Sequence, residues 1–214
     1  VTDTEPFSEN FNVLTAGIPN CWDNSEGTTT DNSYKWNYYS SGESGAGLRF
    51  DSYINSNGRT NMLKTPVLDL TAVSTPMLSF SYKNPTGGDF SVFLSTNGGV
   101  TYTTPIATGL TGTTNWTEVE YNLTNLTDAD NVVIVFKGTS NYGSGDAYIY
   151  LDNVFVGNAP SCPKPTQLAV TGTTSSSVTL SWTPGNEETE WEIVYGTPGF
   201  DPTLEGTTIP NGTS

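Results

Sequence analysis

The sequence predicts an all-β fold, an antiparallel sandwich of two packed sheets, and three observations predict it. Short runs rich in Val, Ile, Phe, Tyr, Trp and Thr recur through residues 1–158, the residue types that suit a pleated, half-buried surface. Clusters of Gly, Asn, Asp, Pro and Ser separate those runs, as turns require. Where a period is visible it is two, and no segment keeps apolar residues at helical spacing over three turns.

The first marked run is "YKWNYYS" at 34–40. Successive side chains of a strand point to opposite faces, so Tyr34, Trp36 and Tyr38 share one side and Lys35, Asn37 and Tyr39 the other. The Trp36 side is assigned to the core. Next come "GLRFDSY" at 47–53, "MLSFSYK" at 77–83 and "DFSVFLST" at 89–96, in which Phe90, Val92 and Leu94 share a face. "NWTEVEYNL" at 115–123, "NVVIVFKG" at 131–138 and "AYIYLDNVFV" at 147–156 complete the first series. Turn chemistry lies between them: "NPTGGD" at 84–89, "TNGG" at 96–99, "TGLTGTTN" at 108–115 and "SNYGSGD" at 140–146. So many short strands are accommodated by two stacked antiparallel sheets.

"GNAPSCPKPT" at 157–166 breaks the pattern with prolines at 160, 163 and 165, and Pro-rich stretches act as stiff spacers. A domain boundary is placed there, with 1–158 as one domain and 159–214 as a second. The second opens with "QLAVTGTT", "SVTLSWTP" and "EWEIVYGTP".

Composition removes several functions. The chain carries 22 acidic and 7 basic residues and no histidine, a formal charge of −15. That field repels nucleic acid and anionic membrane surfaces and suits cation binding. No run of 18 apolar residues occurs, which leaves no candidate for a membrane-spanning helix. The absence of histidine excludes a Ser-His-Asp triad, a Cys-His pair and a histidine general base, and two cysteines are too few for a four-cysteine zinc site. Paired acids could still hydrolyse a glycosidic bond, but no acid pair has supporting context, and the chain is read as non-enzymatic. The chain opens at Val1 with no charged-then-apolar leader, the expectation being a mature, secreted or cell-surface product. The N-x-T sequons at Asn115, Asn122, Asn125 and Asn211 are read as products of Asn/Thr richness.

Several fragments in order resemble the MAM-like jelly-roll domains of secreted bacterial proteins, including the cleaved-adhesin type. They are "FSENFN" at 7–12, "IPNCW" at 18–22, "LKTPVLDLT" at 63–71, "PMLSFSY" at 76–82, "LSTNGGVTY" at 94–102, "NWTEVEYNL" and "YIYLDNVFV". The resemblance implies a non-catalytic module attached to a catalytic or adhesive neighbour domain. It also implies calcium, with Glu9, Asp31 and Asp152 as the acids and Asn32 or Asn153 adding oxygen. Asp31 departs from the family spacing, and Asp51 is its alternate. The second domain resembles the opening strands of a fibronectin type III domain, with Trp182 as its buried tryptophan and Tyr195 as an inward ring. Such domains run to about 100 residues, so the remaining strands are expected beyond this stretch. In a jelly roll the first and last strands tend to be neighbours, which would let Cys21 and Cys162 form a disulfide. The alternative pairs Cys162 with a later cysteine.

The ligand expected is a polysaccharide. Exposed rings stack on the C–H face of a sugar while cations and amides reach its hydroxyls. Tyr39, Tyr53 and Tyr142 are the rings beside polar loops, and Arg49, Arg59 and Lys83 the cations near them. The large negative charge favours a neutral glycan, an anionic one needing calcium or a local basic patch. The alternatives are a protein-docking adhesin and a purely structural domain of a larger protease or glycoside hydrolase.

Overall fold

The computed structural model describes residues 6–212 apart from 30, 32, 33, 54, 86, 145–147, 162, 163, 186, 187, 198, 199, 202 and 203. The chain forms two units, Val1–Ala159 and Pro160–Ser214. Among the described residues all regular structure is strand apart from a helical-turn position at Tyr34 and isolated bridges.

The first unit is an antiparallel sandwich. Its larger sheet contains β1 (Phe7–Glu9), β2 (Asn37–Tyr39), β3 (Gly47–Asp51), β5 (Pro76–Asn84), β8 (Thr113–Asn122) and β10 (Tyr148–Asn158), in the order β2-β3-β10-β5-β8 with β1 also on β10. The smaller sheet contains β4 (Thr60–Lys64), β6 (Asp89–Ser95), β7 (Thr104–Ala107) and β9 (Val133–Thr139), in the order β4-β9-β6-β7. From β3 to β10 the chain changes sheet at every connection except the β6–β7 hairpin, the jelly-roll winding expected from the sequence.

β10 organises the larger sheet. Its first half pairs with β3, Ile149 opposite Phe50 and Leu151 opposite Leu48, and its second half pairs with β1, Glu9 opposite Val154. β5 runs along its other edge, with a register shift between Asp152 and Phe155. That irregularity lets one long strand serve two short ones on the same side.

Alternation decides the core. Leu48, Phe50, Phe80, Phe90, Ile134, Phe136, Ile149 and Leu151 are fully buried between the sheets. Trp36 is also fully buried, its ring 5.8 Å from both Phe50 and Phe90, as its side of the first run predicts; Tyr34 and Tyr38 are half-buried. Buried Asn61 fixes this ring. Its Oδ1 accepts from Trp36 N at 2.9 Å, its carbonyl accepts from Trp36 Nε1 at 3.2 Å, and its Nδ2 donates to the carbonyls of Asn24 and Glu26. The segment 23–26 is latched a second time where Glu26 accepts from Lys64 Nζ and from the Tyr102 hydroxyl.

The second unit consists of two two-stranded antiparallel sheets, β11 (Thr166–Thr173) with β12 (Val178–Thr183) and β13 (Trp191–Tyr195) with β14 (Thr207–Gly212). Trp182 meets Trp191 edge-on at 5.3 Å. Tyr195 departs from its expected inward position and is 55% exposed, because no further layer of the described unit covers that side of a two-stranded sheet. Cys21 is exposed; Cys162 lies outside the described residues.

Candidate functional site

The outer face of the larger sheet carries the strongest concentration of functional chemistry. Because Leu48, Leu151 and Tyr82 point inward, their sequence neighbours Arg49, Tyr150 and Lys83 point outward. Register then aligns them across adjacent strands: Asn37 lies opposite Arg49, Arg49 opposite Tyr150, and Tyr150 opposite Lys83. Thr117 lies opposite inward-facing Tyr82, which turns Trp116 outward beside Lys83. The result is a row of rings and cations running across β2, β3, β10, β5 and β8.

The contacts are close. The Arg49 guanidinium carbon lies 4.5 Å from the Tyr148 ring centroid and 5.4 Å from that of Tyr39. Lys83 Nζ lies 4.4 Å from the Tyr150 centroid and 5.3 Å from that of Trp116. Tyr150 in turn lies 4.9 Å from Tyr39, 6.0 Å from Tyr148 and 6.1 Å from Trp116. A cation over a ring face is attracted by the ring quadrupole, so these contacts hold both the rings and the charges in place. Burial, aided by the neighbouring Tyr39, pushes the Tyr150 hydroxyl up to about 12, so it stays a protonated donor at neutral pH.

Arg49 Nη2 also donates to Asp51 Oδ2 at 3.2 Å. Asp51 Oδ1 accepts from Tyr53 N at 3.0 Å, which links the row to the turn that carries Tyr53. Tyr53 and Tyr142 are 54% and 49% exposed and meet edge-on at 6.5 Å. They form a second aromatic pair beyond the end of the β3–β10 ladder.

Of the residues singled out from sequence, Tyr39, Arg49 and Lys83 are brought into one row, while Tyr53 and Tyr142 pair separately. Arg59 is in neither group: its Nη1 donates to the Thr28 carbonyl. Sequence reasoning missed Trp116, Tyr148 and Tyr150. The signal that could have found them is the alternation in "YIYLD" and "NWTEVEY". It sets Tyr148, Tyr150 and Asp152 against Ile149 and Leu151, and Trp116 against Thr117 and Val119.

The three expected calcium acids do not gather. Among the described residues no group of three or more Asp, Glu, Cys or His side chains is disposed to hold a metal. Glu9 Oε1 accepts from Phe11 N at 2.7 Å, and Asp31 lies in an exposed turn where its carbonyl accepts from Tyr34 N. Asp152 is fully buried and pins the loop after β2: Oδ2 accepts from Glu43 N and Oδ1 from Asn153 N, each at 2.7 Å. A Cβ on Gly42 would stand 2.5 Å from Asp152 Oδ2, so the loop closes onto this carboxylate only because that residue is glycine. Burial pushes the Asp152 carboxyl up; backbone N–H bonds from Glu43, Asn153 and Ser44 pull it down, and the Glu43 charge adds to the rise. Asn153 Nδ2 donates to Glu43 Oε2, placing that second carboxylate beside the first.

No family model matches the sequence, and no curated protein does. Solved structures do. The K1 cleaved adhesin domain of Lys-gingipain from Porphyromonas gingivalis W83 superimposes with a TM-score of 0.54 at 20% identity, covering 73% of this chain and 99% of that domain. The K3 cleaved adhesin domain of the same protein gives 0.52 at 18% identity, covering 72% and 98%. A family 29 carbohydrate-binding module gives 0.46 at 16% identity, covering 72% of this chain and 91% of its own. The first unit therefore shares the β-sandwich fold of the cleaved adhesin domains.

Proposed function

We propose that this chain is a non-catalytic, secreted or surface-exposed accessory module that binds polysaccharide on the outer face of its larger sheet. The observation that carries this reading is the cross-strand row Tyr39, Arg49, Tyr148, Tyr150, Lys83 and Trp116. Sugar recognition needs apolar ring surface beside fixed polar groups, and this row supplies both on a rigid frame. Hydroxyls of half-buried Tyr39 and Tyr148 and the N–H groups of Arg49 are donors on the same face.

Native affinity electrophoresis of the 214-residue chain through gels containing neutral and acidic polysaccharides tests the reading. Retardation by at least one polymer, reduced by Trp116→Ala, supports it. Unchanged mobility in every gel overturns it.

The adhesin reading stands second. It is supported by the cleaved adhesin likeness and by the exposed Tyr53–Tyr142 pair, since paired tyrosines also anchor protein interfaces. Because those adhesin domains are parts of Lys-gingipain, a catalytic or adhesive neighbour domain is the partner expected here. The MAM-like assignment of the first unit is supported by the order of its fragments. The fibronectin type III assignment of the second is supported by its two hairpins and the Trp182–Trp191 contact.

Calcium belongs to the proposal in a narrowed form. Asp152 is buried with no cation in ion-pair reach among the described residues, and Glu43 stands beside it. A hard cation relieves such a pair of like charges. Asp152 and Glu43 are the side chains that would hold it, Glu9 lies one strand away, and Asp31 is outside the set. Bound there, calcium would fix the loop that follows Tyr39.

A further inference from the structure

From the way the two cations are held, we infer that the polysaccharide taken by this face is an acidic one, its carboxylate or sulfate groups received by Arg49 and Lys83. The inference rests on the glycan reading above and reverses the neutral preference that net charge alone suggests.

The charge distribution is the first ground. The chain has only 7 basic residues against 22 acidic ones, yet two of them flank Tyr150 in direct register, Arg49 on one side and Lys83 on the other. Two strand spacings separate their backbones, roughly 10 Å. Among the described residues the carboxylate paired with Arg49 is Asp51, through a single nitrogen, and the guanidinium carries further N–H groups that a ligand can take. Among the described residues no carboxylate lies within ion-pair distance of Lys83. The nearest acids in register stand one row further along the strands. Asp152 and Glu118 both lie opposite Ser81, and the Asp152 carboxylate is turned to the backbone amides of the 42–46 loop.

The rings are the second ground. Tyr39 and Tyr148 each give a face to Arg49, and Tyr150 and Trp116 each give a face to Lys83. The ring faces turned to the cations are not open to the C–H surface of a sugar, and the remaining surface of half-buried Tyr39, Tyr148 and Trp116 is what a sugar can stack on. What the turned faces do instead is immobilise two flexible cations, removing much of the rotamer entropy that a lysine or arginine otherwise loses on binding. A rigid guanidinium edge and a seated ammonium favour an anionic oxygen over a hydroxyl, because charge-assisted bonds are about twice as strong as neutral ones. Elsewhere the chain repels a polyanion, so attachment is confined to this row.

The test is affinity electrophoresis and calorimetry of the 214-residue chain with polygalacturonate, dextran sulfate, galactan and dextran. The acidic polymers should bind and their neutral counterparts should bind at least tenfold more weakly, about 1.4 kcal/mol. Lys83→Gln should lose at least tenfold in affinity for the acidic polymer, and Lys83→Arg should retain it, both melting as the parent does. Polygalacturonate alone identifies the anion as carboxylate, dextran sulfate alone as sulfate, and binding of both as the chemistry they share. Tighter binding of the neutral polymers, or equal affinity in Lys83→Gln and Lys83→Arg, overturns the inference and leaves the glycan reading standing. Binding of no polymer removes both.

Discussion

Asn61 holds Trp36 at both ends, its side-chain oxygen taking the Trp36 backbone N–H and its carbonyl the indole N–H. The same amide ties down the carbonyls of Asn24 and Glu26, so one buried polar residue joins the largest core ring to a strandless segment. Asn61→Ala leaves the Trp36 backbone N–H and the Asn24 carbonyl unpaired, while the Glu26 carbonyl keeps its bond from Met62 N. Each unpaired buried group costs about 1–3 kcal/mol, and urea denaturation should show a loss of roughly 2–4 kcal/mol. A midpoint within 0.2 M of the parent would contradict the role.

The Glu26 latch gives a pH dependence of known sign. Burial pushes the Glu26 carboxyl up, but hydrogen bonds from Lys64 and Tyr102 outweigh it and hold the group below its usual 4.5. A depressed carboxyl stabilises the fold above that value, and the contribution is lost as pH falls through the folded value. Melting temperatures between pH 5 and 3 should therefore fall less steeply in Lys64→Met than in the parent, relative to each at pH 7. Parallel curves would show that the latch contributes nothing.

On the sheet face, Trp116→Ala should weaken glycan binding by about tenfold or more, on the scale of about 1–3 kcal/mol that a stacked ring contributes to base binding. It removes both ring surface and one wall of the Lys83 seat. Tyr53→Ala and Tyr142→Ala separate the two aromatic groups. They lower glycan affinity only if the ligand continues past Asp51 to the end of the ladder, and calorimetry on a short oligosaccharide and a long polymer reads that difference directly.

Added calcium should raise the melting temperature and chelator should reverse the rise, the added stability being about 2.7 kcal/mol at a hundredfold excess over the dissociation constant. In Glu43→Gln the increment should shrink or vanish. An unchanged melting curve with and without calcium in the parent would remove the ion from the proposal.

The two units should also differ in hydrogen exchange. None of the described residues of β11–β14 is buried, and opening free energies follow burial and contact density. Amides of these strands should exchange well before those of β5, β9 and β10, as mass spectrometry after brief labelling would reveal.

What was legible in the sequence follows from what a period of two can say. It turned Trp36 inward and Tyr39 outward correctly, because facing is a local property of a strand. It could not tell that Arg49, Tyr150 and Lys83 stand abreast, because that depends on β10 entering between β3 and β5 from far along the chain. Tyr148, Tyr150 and Trp116 were hidden for the same reason: aromatic residues in well-formed strands look like core until the inner neighbours are known. Asp152 was visible as an acid near the last strand of the first unit. Its partner Glu43 was not, since it sits in a Gly/Ser loop whose closure depends on Gly42.

The strand at the middle of the larger sheet is also the last of the first unit to be synthesised. Until residues 148–158 leave the ribosome, β3 and β5 have no common neighbour and β1 has nothing to pair with. A nascent chain ending short of them carries bare strand margins, the kind of surface that sticks to other chains. Such long-range closure places folding among the slower β topologies, and a ribosome stalled before Tyr148 would hold β2–β3 and β5–β8 apart with β1 unpaired.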